Sequence, residues 1–191
     1  EKGNICRTVG VAGTVCYTQE TPVTAMVSGM VDALYVIEGE RVTQGQALAQ
    51  KYHAVVTNPP YMGDKGMSPK LSEYIKANYS DSKSDLYAAF IIRCSQMTAD
   101  YEFQAMITQH GWMYLTSFEK MRSSIMSTDV VNMLHLGPRA FDEIGGEVVQ
   151  SVCFVLRKTD ISDYKASYYR LIDGNSEKAK ENLFLNRQGL F

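Results

Sequence analysis

The chain has no excess of positive charge. Its 191 residues carry 19 Lys and Arg against 21 Asp and Glu, a formal net charge of -2 at pH 7. That balance excludes a protein that grips nucleic acid by bulk electrostatics alone. The deficit is local: residues 1 to 50 hold Lys2, Arg7 and Arg41 against Glu1, Glu20, Asp32, Glu38 and Glu40, and the remainder is balanced. Closely spaced cysteines are also missing. Cys6, Cys16, Cys94 and Cys153 form no C-x-x-C pair, so buried free thiols in a reducing, cytoplasmic setting are expected. No run approaches the roughly 18 apolar residues that a membrane span needs, and no charged-then-apolar leader opens the sequence, so neither a membrane location nor export is expected. Low-complexity tracts and internal repeats are absent. With 45% hydrophobic and 21% charged residues, 14 Gly and 5 Pro, the chain has the composition of one that folds round a core.

What is present changes character near residue 47. Before that point, short β-type runs (Thr8 to Val15, Val23 to Val27, Val31 to Ile37, Arg41 to Leu48) are punctuated by Gly. After it, apolar strand patterns alternate with helical ones, the signature of an α/β layered sheet. The expected organisation is a small β-rich hairpin segment over residues 1–46 and an α/β unit over 47–191. Tyr52 to Thr57 reads as a buried parallel strand, and Ser68-Pro69 as the start of a short helix. A helix from Lys83 to Met97 is expected, with Ser82 and Asp85 at its start and an apolar stripe through Leu86, Phe90 and Cys94. Phe103 to Thr108 reads as the next strand, and Thr116 to Glu119 as a capping box opening a helix to Met126. Strands Val130 to Leu136, Val148 to Leu156 and Tyr164 to Ile172 follow, then a helix from Ser176 to Leu185.

The sharpest motif is Asn58-Pro59-Pro60-Tyr61 at the end of the first of these strands. An amino group conjugated to an aromatic ring is a poor nucleophile because its lone pair is delocalised. If the Asn58 side-chain oxygen and the Pro59 carbonyl each accept one of its N–H groups, the lone pair localises on nitrogen. Two prolines stiffen the loop and hold that carbonyl in place, and Tyr61 offers a π-face for a flat, flipped-out base. The tetrapeptide alone also suits a rigid strand-to-helix turn. Its place at the carboxyl end of an apolar strand favours a binding loop, because ligands of open α/β sheets sit there.

Asn-Pro-Pro-Tyr resembles the catalytic motif of amino-group methyltransferases, which act on adenine N6 in DNA, on guanine N2 in RNA or on glutamine side chains. The longer blocks AQKYHAVVTNPPYMGDKGMSPKLSEYIKANYSDSKSDLYAAFIIRCSQM, FQAMITQHGWMYLTSFEKMR, VVNMLHLGPRAFDEIGGEVVQSVCFVLRK and YKASYYRLIDG resemble the catalytic segment of the adenine-specific DNA methyltransferases of BREX phage-defence systems, from about Ala47 onward. The resemblance implies the catalytic half of a Rossmann-like class I sheet, S-adenosylmethionine as methyl donor, and double-stranded DNA with other defence-system subunits as partners. It implies catalytic roles for Asn58, Pro59, Pro60 and Tyr61, and cofactor contact near Lys83 and Asp85. Substrate contact is implied at Tyr61, Lys65, Lys70, Gln109 and His110. No metal is implied, since methyl transfer from a sulfonium needs none.

The family's Gly-rich cofactor loop is not found upstream, where Gly10-Val11-Ala12-Gly13 reads as a β-turn. The expectation is therefore a catalytic half without its cofactor half. A catalytically inactive binding or scaffolding piece, and an RNA or protein-amide methyltransferase, stand as alternatives. The spacing from Val27 to Leu48, with turns at Glu38-Gly39 and Gln44-Gly45, resembles half of a biotinyl/lipoyl-like or membrane-fusion adaptor β-domain. Of the other candidates, His53 is expected to pack within its strand, His135 to be a satisfied core or edge histidine, and Trp112 either to stack a base or, as aromatics beside a strand more often do, to lie in the core. Glu143, Glu147 and Glu177 to Glu181 read as solvated charge.

Overall fold

The computed structural model describes residues 14–15, 23–24, 50–141 and 149–190. Two short strands, β1 (Thr14–Val15) and β2 (Val23–Thr24), pair antiparallel. The remaining calls on residues 1–46, with Glu143 and Glu147, lie outside the described residues.

The rest is built on a five-stranded sheet of β3 (Tyr52–Thr57), β4 (Thr98–Gln109), β5 (Asp129–Gly137), β6 (Ser151–Arg157) and β7 (Ser167–Arg170), in the spatial order β3-β4-β6-β5-β7. β3 runs parallel to β4, and β5 parallel to β7, while β6 lies antiparallel between β4 and β5. The carboxyl ends of β3, β4, β5 and β7 thus meet the start of β6 along one sheet edge. This edge gathers Asn58, Gln109, His110, Gly137 and Ser151, which are far apart in sequence.

Local sequence explains the helices. α1 (Pro69–Asn78) starts where the Ser68 hydroxyl accepts the Leu71 amide and Pro69 fills the first helical position. α2 (Leu86–Met97) buries Tyr87, Ala88, Ile91 and Cys94 in the core with the sheet and Leu86 and Ala89 with Met67 and Ile75, and it ends where the Thr98 hydroxyl donates to the Cys94 carbonyl. α3 (Glu119–Met126) inserts Met121 and Ile125, and α4 (Glu177–Leu185) is capped by Ser176. The core joins α2 and α3 to β4 and β6 through Met106, Val152, Phe154 and Leu156. Trp112 lies at its centre, fully buried, with its ring edge-on to Phe154 and its indole N–H donating to the Thr108 hydroxyl at 3.1 Å.

Several expectations are corrected. α2 begins at Leu86 rather than Lys83, because Asp85 itself is the N-cap and residues 80–82 form a separate 3-10 turn. The Thr116 to Glu119 capping box does not form. Residues 116–118 make a 3-10 turn, and the N-cap of α3 is Phe118, without a side-chain bond. β3 is not fully buried: it is the last strand of the sheet among the described residues, and His53, Ala54 and Val56 are exposed. His53 accordingly does not pack in the sheet. Its side chain is 76% exposed and meets Glu102 at 2.7 Å. β7 is confined to Ser167–Arg170, shorter than the Tyr164 to Ile172 run suggests.

Candidate active site

β3 delivers the chain to the sheet edge with Thr57 in register with Met106 of β4, and Asn58 follows, exposed. Pro59 is buried and Pro60 half-buried, so the loop is packed at its middle while Asn58 is exposed. The far end of the loop is fastened as well. The Met62 amide donates to Asp85 Oδ1 at 3.0 Å, the Leu86 amide to the Met62 carbonyl at 2.9 Å, and the Asp64 amide to the Ser84 carbonyl at 3.2 Å. Asp85 Oδ1 also accepts the Tyr87 amide at 3.3 Å as the cap of α2. Burial raises the Asp85 carboxyl above the ordinary carboxylate value, and the bonds from the backbone oppose that rise.

Tyr61 is half-buried and meets the Tyr87 ring edge-on, with centroids 5.9 Å apart and planes at 80°. Its hydroxyl is buried, as is that of Ser151, and neither has a hydrogen-bond partner. Burial pushes the Tyr61 hydroxyl up to about 12, with the nearby Ser151 opposing the shift. The loop therefore offers an exposed carboxamide and a stiffened carbonyl, with an aromatic ring whose hydroxyl end is turned into the core.

Gln109 closes β4 opposite Ser151, and the His110 amide donates to the Gln150 carbonyl at 2.9 Å. His110 is the centre of a group that its position in the sequence does not announce. Its Nδ1 lies 2.9 Å from His135 Nε2, and its Nε2 lies 2.8 Å from the Tyr114 hydroxyl. Burial lowers the pKa of His110, and His135 adds to the effect. Burial also lowers that of His135, with Arg170 and Lys180 contributing. The expected site residues thus fall in two places on one edge, Asn58 to Tyr61 at the end of β3 and Gln109-His110 at the end of β4. Lys65, Lys70 and Lys83 are exposed on the segments after the loop. Sequence reading placed Tyr87 on the apolar stripe of the helix flanking the site but not against Tyr61, and it missed Ser151 and the partnership of His110 with His135.

The methyl donor that the family implies, S-adenosylmethionine, tests this arrangement. The described residues do not form a nucleoside cradle. Asp85, the acidic group expected to help, spends Oδ1 on the Met62 and Tyr87 amides. A Gly-rich phosphate- or nucleoside-type turn does not occur among the described residues. The full donor site does not fit within them. Among the described residues no three His, Cys, Asp or Glu side chains are grouped to hold a metal ion, and no helix is long and apolar enough to cross a membrane.

The sheet order and the loop at its edge define an α/β methyltransferase fold. A family model described as Eco57I restriction-modification methylase matches residues 30–141, and the chain belongs to that family. It is 46% identical over 141 residues to the adenine-specific methyltransferase PglX of Lacticaseibacillus casei (strain Zhang), across 74% of this chain and 12% of that protein. It is 42% identical over 151 residues to the adenine-specific methyltransferase BrxX of Escherichia coli O9:H4 (strain HS), across 78% of this chain and 12% of that protein. The chain therefore spans about an eighth of the length of these curated relatives, 12% in each case. Among solved structures, the DrdV–DNA complex seen by electron cryomicroscopy superposes with a TM-score of 0.58 at 16% identity, over 77% of this chain and 17% of that one, a likeness of fold. These relatives bear out the resemblance read from the sequence blocks.

Proposed function

We propose that this chain is the amino-acceptor half of an adenine-N6 DNA methyltransferase. The observation that carries the reading is the placement of Asn58, exposed, beside buried Pro59 on a loop fixed at both ends, at the carboxyl edge of a mostly parallel sheet. Asn58 Oδ1 and the Pro59 carbonyl accept the two N–H groups of a flipped adenine, drawing the nitrogen towards a tetrahedral shape with its lone pair aimed out of the ring plane. Tyr61 bounds the base through its ring. Bond formation to the methyl carbon requires no prior deprotonation, so alignment and hydrogen-bond polarisation are what this half contributes. The donor, S-adenosylmethionine, brings an electrophilic methyl group and is held chiefly by residues outside the described ones.

The names of the relatives, both adenine-specific methyltransferases, support adenine over RNA guanine or a protein amide. A structural neighbour solved with DNA supports a DNA partner. With a net charge of -2, this chain supplies little of the grip on DNA, which belongs to other parts of a longer protein. Phage defence in the cytoplasm, alongside other subunits of such a system, completes the reading. A substrate panel tests it: tritiated methyl transfer to duplex DNA, structured RNA and a glutamine-containing peptide by the protein that carries this chain. Label confined to adenine N6 of DNA is expected. Label on RNA or peptide and none on DNA overturns the assignment.

A further inference from the structure

The loop Asn58 to Tyr61 is short, exposed at its first residue, and on the proposed function must hold two acceptors to within about 0.5 Å of their hydrogen-bonding positions on the incoming amine. Its rigidity must come from outside, and the structure shows the source. The upstream anchor is Thr57, in register with Met106 of β4. The downstream anchor is Met62, held on both backbone groups by the start of α2. α2 is fastened to the same strand: Gln104, 2% exposed and two residues before Met106, donates from Nε2 to the Ile91 carbonyl at 3.0 Å. Both ends of the loop are therefore referred to β4, through a closed circuit of β3, loop, α2 and Gln104. Within that circuit the Asp85 side chain accepts directly from the backbone at the end of the loop. One oxygen, Oδ1, accepts the Met62 amide and the Tyr87 amide together, and Gly63 forms a β-bridge with Asp85. Tyr87, two residues on, carries the ring against which Tyr61 rests.

We infer that Asp85 is a positioning residue for the methylation loop, acting through the Met62 amide rather than by contact with the methyl donor. The inference rests on the proposed function of Asn58 to Tyr61 and deepens it. It reassigns Asp85 from cofactor contact to alignment of the two acceptors on Asn58 and Pro59. A misplacement of about 1 Å at a reacting centre costs on the order of 10²-fold in rate, so the effect falls on kcat and not on the binding of either substrate.

Capping and clamping separate by mutation. Asp85→Asn keeps an oxygen able to serve both amides. Asp85→Ser retains a good helix N-cap, but its shorter side chain cannot also reach Met62. The experiment compares Asp85→Asn, Asp85→Ser and Asn58→Ala in the protein that carries this chain, measuring kcat, KM for DNA and for S-adenosylmethionine, thermal midpoint, and exchange of the Met62 amide with deuterium. Asp85→Ser is expected to keep its midpoint and both KM values, lose about 10²-fold in kcat and exchange Met62 at least 10-fold faster, on the order expected when a local clamp opens. Asp85→Asn is expected to restore all four. An unchanged kcat and slow Met62 exchange in Asp85→Ser, with Asn58→Ala inactive, overturns this inference alone. A raised KM for S-adenosylmethionine with normal kcat in Asp85→Ser also overturns it, returning Asp85 to cofactor contact. Full activity in Asn58→Ala overturns the reading on which it rests.

Discussion

His110 Nδ1 lies 2.9 Å from His135 Nε2, which joins the end of β4 to the end of β5 across the intervening β6. Only one proton fits between the two rings, so the pair is stable when at least one ring is neutral, and the Tyr114 hydroxyl completes the chain at His110 Nε2. Both folded-state pKa values lie below the ordinary histidine value, chiefly through burial. The unfolded chain therefore takes up protons first as pH falls below about 6.5. The histidine contribution to folding stability is complete above that value and is lost as pH drops through it towards the lower folded values. Thermal midpoints at pH 7.5 and 5.5 test this: a drop is expected in the native chain and a smaller one in His110→Gln/His135→Gln. Equal drops would contradict it.

Tyr61 contributes a ring, not a hydroxyl. Its oxygen is buried without a hydrogen bond of ordinary geometry, although the Ser151 hydroxyl is near enough to oppose the rise of its pKa, and at about 12 that pKa keeps it protonated at any working pH. Removing a buried group that makes no hydrogen bond costs little and can stabilise by up to about 1 kcal/mol. Tyr61→Phe is expected to melt no lower than the native chain and to methylate at a similar rate, whereas Tyr61→Ala loses both packing on Tyr87 and activity. Loss of activity in Tyr61→Phe would give the hydroxyl a role in the reaction.

Lys180 secures the far side of the fold. Only 4% exposed, it donates from Nζ to the carbonyls of Leu136 at 2.6 Å and Leu171 at 3.0 Å, tying α4 to the ends of β5 and β7. Lys180→Ala removes the side-chain donor to Leu136, leaves the Leu171 carbonyl only the Gly174 amide, and opens a cavity, an expected loss of about 2–4 kcal/mol measurable by urea unfolding. Lys180→Met refills the volume but not the bonds and is expected to recover only part. A loss under about 0.5 kcal/mol in Lys180→Ala, the range of an ordinary surface change, would contradict a structural role.

Much of this architecture was legible in the residues. Apolar alternation gave the strands and their order along the chain, Ser68-Pro69 and Ser176 marked helix starts that form as read, and Trp112 was correctly placed in the core. The failures have local physical causes. Ser82 reads as the cap with Asp85 three residues on, but the Ser82 hydroxyl donates to the Tyr79 carbonyl in a 3-10 turn and Asp85 caps the helix through the Tyr87 amide, while also accepting the Met62 amide that helix periodicity cannot see. His53 sits in an apolar run, yet the run is the terminal strand of the described sheet, so its side chain reaches solvent and Glu102. In the candidate site, the motif Asn58 to Tyr61 is read from chemistry. Their supports, Asp85 as clamp, Tyr87 as wall and His135 as partner of His110, depend on which strands become neighbours.

The most direct test of the central claim is the rate of adenine-N6 methylation by Asn58→Ala in the protein that carries this chain, with binding of S-adenosylmethionine and DNA measured alongside. If Asn58 polarises the acceptor amine, the rate falls by about 10²–10³-fold, the scale for removing one preorganised group facing developing charge, while both ligands bind as before and the fold is intact. A variant that methylates DNA within a few-fold of the native rate would show that the loop at the end of β3 does not carry the reaction.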